Sequence, residues 1–170
     1  ELTVAGPSAT DSYIARAEAN RFGKIHETLA DGSERIVHRM GDLAWQDAQR
    51  RLWFCGRKSQ RLQTRQGLLG TENVEPIFNL HPAVSRSALV GIGASPLQKP
   101  VLCVERNPGN DMSEQQLFAD LLAMARTHRH TQHIDTFLVH PGFPVDIRHN
   151  AKIGREQLAV WATERLGKQP

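Results

Sequence analysis

The spacing of apolar positions differs between the first third of the chain and the rest, and the first third predicts strands. Alternating or short apolar runs bounded by turn residues are typical of strands. The segments with this pattern are residues 1–6, 35–40, 41–47 and 51–56. Asp31-Gly32, between two alternating segments, indicates a hairpin turn, and residues 14–22 predict a short helix. We therefore expect residues 1–58 to be rich in β-structure.

Beyond residue 60 the apolar positions recur every three or four residues in three segments, which is typical of helices that bury one face. The predicted buried stripes are Val74, Ile77 and Phe78; Leu117, Leu121, Met124 and Ala125; and Leu158, Trp161, Ala162 and Leu166. Ser113 followed by Gln116 resembles a capping box at the start of the second helix. Strands are predicted at residues 86–93, 100–105 and 134–139. This order predicts a small α+β domain, in which helices cover a short mixed sheet.

The two parts meet near residue 58, where the character of the sequence changes. Residues 57–67 are polar, and residues 1–58 have too few apolar positions to bury a core of their own. We therefore predict two regions, residues 1–58 and residues 59–170, and expect the first to pack against a part that this sequence lacks. The chain begins with Glu1 rather than Met, which favours a fragment of a longer protein.

Composition and charge indicate an ordinary globular protein and argue against several classes of partner. Hydrophobic residues make up 39% of the chain and charged residues 23%, and basic and acidic residues are interleaved to a net charge of +3. That pattern predicts a mixed-charge surface rather than a nucleic-acid interface. No apolar run approaches the ~18 residues of a membrane helix, and the N-terminus does not resemble a signal peptide. Cys55 and Cys103 lie in apolar runs, which favours free thiols in a reducing cytoplasm.

Three short segments carry residue types that bind nucleotides or anions. Asp42 follows Gly41, and a carboxylate at such a place can accept hydrogen bonds from both hydroxyls of a ribose. Arg57 follows Gly56 at the end of a predicted strand, where its guanidinium could meet a ribose or a phosphate. Lys152 lies in a predicted loop before the last helix. Each segment alone is more often a plain surface turn, so their order along the chain decides between the two interpretations.

Three histidines, His128, His130 and His133, are spaced densely enough to suggest metal ligands. They follow the end of the helix predicted over residues 113–127, where positive charge is favourable next to the helix dipole. We favour that role over a metal site, and we predict no metal ligand in this sequence.

Taken in order, these segments resemble the motifs of the adenylate-forming superfamily, which includes acyl-CoA synthetases, luciferases and the adenylation domains of peptide synthetases. Met40 stands where the family usually has Thr, in the motif that ends in Gly41-Asp42. The segments that match family motifs are residues 1–7, Tyr13, Gly41-Asp42, Gly56-Arg57, Val74-Glu75, residues 81–84, residues 88–91 and residues 150–153. The tail over residues 143–162 is more specifically similar to the olefin β-lactone synthetases of bacterial long-chain hydrocarbon biosynthesis.

The resemblance implies that the chain is the C-terminal part of an ATP-dependent ligase that joins a carboxylate to AMP. It implies a mobile α+β lid over residues 59–170, preceded by a strip of the large N-terminal domain. Asp42 is then expected to hold the ribose hydroxyls, and Arg57 to reach the ribose or the phosphates. Lys152 is expected to bridge the carboxylate and the α-phosphate, where its charge offsets the negative charge of the transition state.

The resemblance also implies how the lid moves and what the site binds. The hinge falls at Ser59 or at its neighbour Lys58, because Ser59 replaces the family's usual Asp or Lys. ATP and Mg²⁺ are expected, with the metal ligand and the phosphate-binding loop outside this sequence, so the fragment alone is expected to be inactive. The expected partners are the missing N-terminal adenylation domain and other enzymes of the hydrocarbon pathway.

In the narrower family the substrate is a long-chain 2-alkyl-3-hydroxy fatty acid. Its own β-hydroxyl attacks the acyl-adenylate and closes a β-lactone, so no thiol acceptor is needed. His149, just before Lys152, is a candidate base for that hydroxyl, with a structural or hydrogen-bonding role as the alternative.

Two alternatives to this function stay open at the level of the sequence. A fatty acyl-CoA synthetase or fatty acyl-AMP ligase would share every residue of the first half-reaction and differ in the acceptor. A non-catalytic α+β interaction domain would keep these motifs as relics, although the intact Lys152 argues against it.

Overall fold

The computed structural model describes residues 1–146 and 152–167, and the chain divides into two compact units, Glu1–Ser59 and Gln60–Pro170. This division lies one residue from the boundary that the sequence predicts.

The first unit is built from short antiparallel strands and one short helix. Its elements are β1 (Thr3–Ala5), α1 (Ala17–Gly23), β2 (Lys24–Thr28), β3 (Glu34–Arg39), β4 (Asp42–Gln46) and β5 (Leu52–Arg57), followed by a 3-10 turn over Lys58–Gln60. Strand β3 is the centre of a sheet of order β1-β3-β2, with the predicted hairpin turn between β2 and β3. Strands β4 and β5 form a separate antiparallel pair.

Few apolar side chains of the first unit are buried, as the sequence predicts. Within residues 1–59, all of which the structure describes, Val37 is the one hydrophobic side chain that is buried, at 6% exposure. Trp45 and Trp53 stack across β4 and β5 with their ring centroids 5.8 Å apart, yet each is about half exposed. A unit with so small a core has little hydrophobic stabilisation of its own.

The second unit contains a mixed sheet between helices, which confirms the predicted α+β fold. Its elements are β6 (Leu62–Thr64), β7 (Gly67–Leu69), α2 (Thr71–Phe78), β8 (Val84–Ile92), β9 (Lys99–Arg106), α3 (Glu114–Arg126), β10 (Phe137–Val139), β11 (Val145–Asp146), β12 (Lys152–Ile153) and α4 (Arg155–Gly167). The main sheet has the order β10-β9-β8, in which β10 runs parallel to β9 and β8 runs antiparallel to it.

Strand β9 is buried on both faces and separates two layers of core. Leu102 and Val104 pack on the side of helices α2 and α3, whereas Val101 and Cys103 pack on the side of helix α4. Alternate residues of a strand point to opposite faces, so helices on both sides give β9 a continuous apolar run. Burial also raises the pKa of the Cys103 thiol to about 12, which makes it a packing residue rather than a nucleophile.

Two local predictions need correction. Ser113 caps α3, because its hydroxyl accepts a hydrogen bond from Gln116 N at 3.1 Å. The Gln116 side chain, however, donates to Asp120 Oδ1 at 2.7 Å, so only half of the capping box is seen. The strand predicted over residues 134–139 is shorter, because Ile134 lies buried in the turn that precedes β10.

Candidate functional site

Asp42 and Arg57 are brought together by the pairing of β4 with β5. They are Cα partners at the start of β4 and the end of β5, and each follows a glycine with positive φ, Gly41 at 71° and Gly56 at 101°. The register shifts by one residue next to this pair, at Leu43, which indicates a β-bulge. Glycines and bulges of this kind re-aim side chains near the end of a strand pair.

The Asp42 carboxylate is a shielded group beside an exposed guanidinium. Its Oδ1 atom lies 3.0 Å from Arg57 Nη1, and the exposed side-chain fractions are 19% for Asp42 and 54% for Arg57. The two atoms are close enough for an ion pair but not aligned for a hydrogen bond, since Oδ1 has no hydrogen-bond partner among the described residues. Arg57 Nη1 donates instead to the Met40 carbonyl oxygen at 3.0 Å. Oδ1 itself is buried, so the exposed 19% of the Asp42 side chain is the part that a ligand hydroxyl could meet.

Lys58 and Ser59 follow this pair directly. Lys58 N donates to the Gly41 carbonyl oxygen at 2.8 Å, and Lys58 Nζ lies 2.9 Å from Glu1 Oε2. Hydrogen bonds from Arg39 and then from Lys58 lower the pKa of the Glu1 carboxyl to about 2. Ser59 is the last residue of the first unit. The predicted hinge residues thus lie at the division between the two units, and their hinge role remains a prediction.

Lys152 lies on strand β12 and not in a loop, which corrects the sequence prediction of its local structure. It is exposed, and its Cα partner on β11 is Asp146. The next two residues are held in place, because Ile153 pairs with Val145 and Gly154 N donates to the Pro144 carbonyl oxygen at 2.7 Å. Lys152 therefore presents its side chain from a short antiparallel strand pair, and two residues separate it from the start of α4.

His149 lies outside the described residues, together with the rest of residues 147–151. Of the predicted site residues, Asp42 and Arg57 are neighbours in the first unit, whereas Lys152 belongs to the second.

Two further residues, which sequence analysis did not assign to the site, form an ion pair near Lys152 in the chain. Arg155 opens α4 three residues after Lys152 and pairs with Glu75, a buried carboxylate on α2. Burial raises the pKa of the Glu75 carboxyl, although the hydrogen bond and charge of Arg155 oppose that shift. The available signal was a glutamate inside the apolar stripe of a predicted helix, since such a position is rarely charged without a partner.

The histidine cluster does not form a metal site in the part of the chain that the structure describes. The rings of His128 and His130 lie 5.8 Å apart between centroids, and His130 Nε2 lies 2.8 Å from the Asn73 carbonyl oxygen. Within residues 1–146 and 152–167, no three His, Cys, Asp or Glu side chains are grouped as metal ligands. None of the described helices has the length and apolar character to cross a membrane.

Solved structures of adenylate-forming enzymes share this fold. An o-succinylbenzoate CoA synthetase from Bacillus subtilis, solved with an acyl-adenylate intermediate, matches with a TM-score of 0.70 and 21% identity. The match covers 92% of this chain and 29% of that one. An amide bond synthetase from Marinactinospora thermotolerans matches with a TM-score of 0.58 and 20% identity, covering 79% of this chain and 26% of that one.

Sequence relatives point to a narrower group of proteins than the shared fold does, although no protein-family model matches the chain. An olefin β-lactone synthetase from Xanthomonas campestris pv. campestris is 57% identical over 166 residues, which is 97% of this chain. An olefin β-lactone synthetase from Stenotrophomonas maltophilia is 59% identical over 169 residues, which is 99% of this chain. An acetyl-coenzyme A synthetase from Drosophila melanogaster is 33% identical over 86 residues, covering 51% of this chain and 13% of that protein.

These matches assign the chain to a class and to a group within it. The chain belongs to the adenylate-forming enzymes. Over nearly its whole length it is related to olefin β-lactone synthetases, and it spans about 30% of the length of the curated relatives that it matches.

Proposed function

We propose that this chain is the C-terminal part of an ATP-dependent ligase that activates a 2-alkyl-3-hydroxy fatty acid as its acyl-adenylate and closes it to a β-lactone. The observation that carries this proposal is the 57–59% identity, over 97–99% of the chain, to proteins named olefin β-lactone synthetase. We call the longer protein to which the chain belongs under this proposal the parent enzyme.

The first half-reaction joins the fatty acid to AMP. A carboxylate oxygen attacks the α-phosphorus of ATP, the bond to the leaving pyrophosphate breaks, and acyl-AMP forms. Asp42 accepts hydrogen bonds from the ribose hydroxyls, and Arg57 contacts the ribose or a phosphate. Lys152 brings a positive charge to the attacking carboxylate and the α-phosphate, where negative charge grows in the transition state. The shielded carboxylate beside an exposed guanidinium supports the first two roles.

The second half-reaction is internal to the acyl-adenylate. The oxygen of the β-hydroxyl attacks the acyl carbon, the bond from that carbon to the phosphate oxygen breaks, and AMP leaves as the four-membered ring closes. The hydroxyl proton passes to a base, for which His149 is the candidate, and a structural role for His149 is the alternative. Because attacker and target belong to one molecule, no second substrate has to be captured.

The parent enzyme supplies what this chain lacks. Under the proposal, an N-terminal adenylation domain contributes the acyl pocket, the phosphate-binding loop and the magnesium ligands. Residues 60–170 then act as a lid that turns about Ser59 or Lys58 between the two half-reactions. The chain alone is inactive in this account. Other enzymes of a hydrocarbon pathway are candidate partners of the parent enzyme.

A fatty acyl-CoA synthetase or fatty acyl-AMP ligase is the second candidate. The match to an acetyl-coenzyme A synthetase and the fold of an o-succinylbenzoate CoA synthetase favour it. The two candidates share Asp42, Arg57 and Lys152 and differ only in the group that attacks the acyl-adenylate.

The test is to supply the parent enzyme with ATP, magnesium and a 2-alkyl-3-hydroxy fatty acid in the absence of CoA. We expect AMP and a β-lactone in equal amounts, detected by mass spectrometry. AMP that forms only after CoA is added, together with an acyl-CoA product, would favour the second candidate. An absence of both AMP and acyl-AMP under both conditions would contradict both candidates, whereas acyl-AMP that accumulates without a β-lactone would favour the fatty acyl-AMP ligase.

A further inference from the structure

A buried ion pair connects helix α2 with the first residue of α4, three positions after Lys152. We propose that Glu75 and Arg155 are positioning residues for Lys152, and that they fix the backbone from which the lysine reaches the reacting phosphate. This inference rests on the proposed function, in which Lys152 is catalytic. It adds two residues that contact no substrate and act through the lysine.

Arg155 and Glu75 form two hydrogen bonds with each other, and Glu75 accepts another from the main sheet. Arg155 Nη2 donates to Glu75 Oε2 at 2.9 Å, and Arg155 Nη1 donates to Glu75 Oε1. The same Oε1 atom accepts a hydrogen bond from Leu89 N on β8 at 2.7 Å. The exposed side-chain fractions are only 16% for Arg155 and 11% for Glu75. One carboxylate thus joins α2, the central part of β8 and the start of α4.

Lys152 is close to this pair along the chain, and the two residues between them make contacts of their own. Only Ile153 and Gly154 separate Lys152 from Arg155. Ile153 is partly buried against the core layer of α4, and Gly154 N donates to the Pro144 carbonyl oxygen at 2.7 Å. A Cβ atom at position 154 would lie 3.3 Å from that oxygen, so the two backbones approach closely. The peptide that follows Lys152 is therefore held on one side by β11 and on the other by Glu75.

Positioning of Lys152 explains this ion pair better than stabilisation of the fold does. Buried ion pairs lose much of their attraction to desolvation, and apolar replacements of equal volume are often as stable. A lysine side chain has many rotamers, so the accuracy of its ammonium group depends on a fixed backbone and supporting contacts. Misplacement of a catalytic group by about 1 Å can cost on the order of 100-fold in rate. A planar, two-point contact restrains the start of α4 in rotation as well as in distance.

The first arm of the test measures amide hydrogen exchange in the 170-residue chain. Arg155→Lys keeps the positive charge and loses the two-point geometry, and Glu75→Gln is a second variant that keeps the side-chain volume. We expect Gly154 N to exchange roughly tenfold faster in either folded variant, since the local opening becomes easier. The control is Arg35→Lys, which alters an exposed arginine–glutamate pair with Glu27 on β2 and β3. Unchanged exchange at Gly154 in a folded variant would overturn the proposal.

The second arm measures acyl-adenylate formation by the parent enzyme in a double-mutant cycle. We expect Arg155→Lys to lower the rate by about 10- to 100-fold when Lys152 is present. In the Lys152→Ala background the same change is expected to have less than about a threefold effect, because a positioning residue acts through its target. Equal fold losses in both backgrounds would mean that Arg155 serves the structure in general, which would overturn the proposal.

The two arms also separate this inference from the proposed function. If Lys152→Ala left adenylation unchanged, the proposed role of the lysine would fail, and the inference would fail with it even if Gly154 exchanged faster. If Lys152→Ala abolished adenylation while Gly154 exchange and the cycle showed no coupling, the inference alone would fail.

Discussion

Arg57 Nη1 lies 3.0 Å from Asp42 Oδ1, yet that oxygen has no hydrogen-bond partner among the residues that the structure describes. The carboxylate is thus balanced in charge, and the exposed 19% of its side chain is the part that a ligand could reach. We predict that Asp42→Asn in the parent enzyme raises the KM for ATP by roughly 10- to 100-fold, since hydrogen bonds to a charged acceptor contribute about 1.5–3 kcal/mol. Initial rates at varied ATP and saturating fatty acid measure this effect.

The matched control for this prediction is Asp31→Asn. Asp31 is an exposed turn residue of the same unit, where its Oδ1 accepts hydrogen bonds from Ser33. Its substitution is expected to leave the KM for ATP unchanged. A similar KM for wild type and Asp42→Asn would exclude Asp42 as a ribose ligand.

Gly56 is the residue on which the geometry next to Arg57 depends. Its φ of 101° is strained for any residue with a Cβ, and the residue is buried. We expect Gly56→Ala to lower the free energy of unfolding of the first unit by about 1–3 kcal/mol. Urea unfolding in a Trp161→Phe background would report it, because the remaining tryptophans, Trp45 and Trp53, both lie on β4 and β5.

Gly23→Ala is the control for that experiment. Gly23 ends α1, and an added Cβ would meet only the Tyr13 ring at 3.7 Å, which is ordinary van der Waals contact. This change is expected to be neutral or slightly stabilising, since alanine favours helices. Equal stability of Gly56→Ala and wild type would contradict the argument from positive φ.

His140 should make the stability of the second unit depend on pH. Its ring packs edge-on against Trp161 at 4.4 Å between centroids, and burial lowers its pKa below the ordinary 6.5, although the Glu105 charge opposes that shift. The unfolded chain therefore binds more protons than the folded one just below pH 6.5, so the free energy of unfolding should fall as the pH drops through this range.

Substitution of His140 by Asn tests this dependence, because an amide oxygen can replace the ring nitrogen that accepts from Gly142 N at 3.0 Å. Urea unfolding at pH 7 and pH 5 should show a smaller pH effect in His140→Asn than in wild type. His133→Asn, at an exposed position in the same unit, is expected to keep the wild-type pH effect. An unchanged pH effect in His140→Asn would exclude His140 as its source.

The elements that the sequence predicts well are those with a long periodic pattern. The stripe of Leu117, Leu121 and Ala125 is fully buried in α3, and the alternation of β8 and β9 places their side chains in two core layers. Burial of an apolar face over several turns outweighs the local preferences of single residues, so such patterns predict secondary structure reliably. Resemblance to family motifs identifies Asp42 and Arg57 as site residues, and the pairing of β4 with β5 brings them within ion-pair distance.

The parts that sequence analysis missed depend on short-range geometry or on contacts between distant residues. Strands β11 and β12 have two residues each, too few for a periodic pattern to show, so the sequence predicts a loop at Lys152. The pairing of Arg155 with Glu75 joins residues 80 positions apart. A sequence pattern contains no distance between such residues, and only the packing of α4 onto β8 brings them together.

Lys152→Ala in the parent enzyme tests most directly whether this chain carries the lysine of an acyl-adenylate-forming enzyme. Pyrophosphate exchange, with a 2-alkyl-3-hydroxy fatty acid as the substrate, isolates the first half-reaction. We predict that the exchange rate falls on the order of 10²- to 10³-fold, since a positioned charge is lost from the transition state. Lys99→Ala, an exposed lysine at the start of β9, should retain the wild-type rate. An exchange rate for Lys152→Ala equal to that of Lys99→Ala would contradict the account.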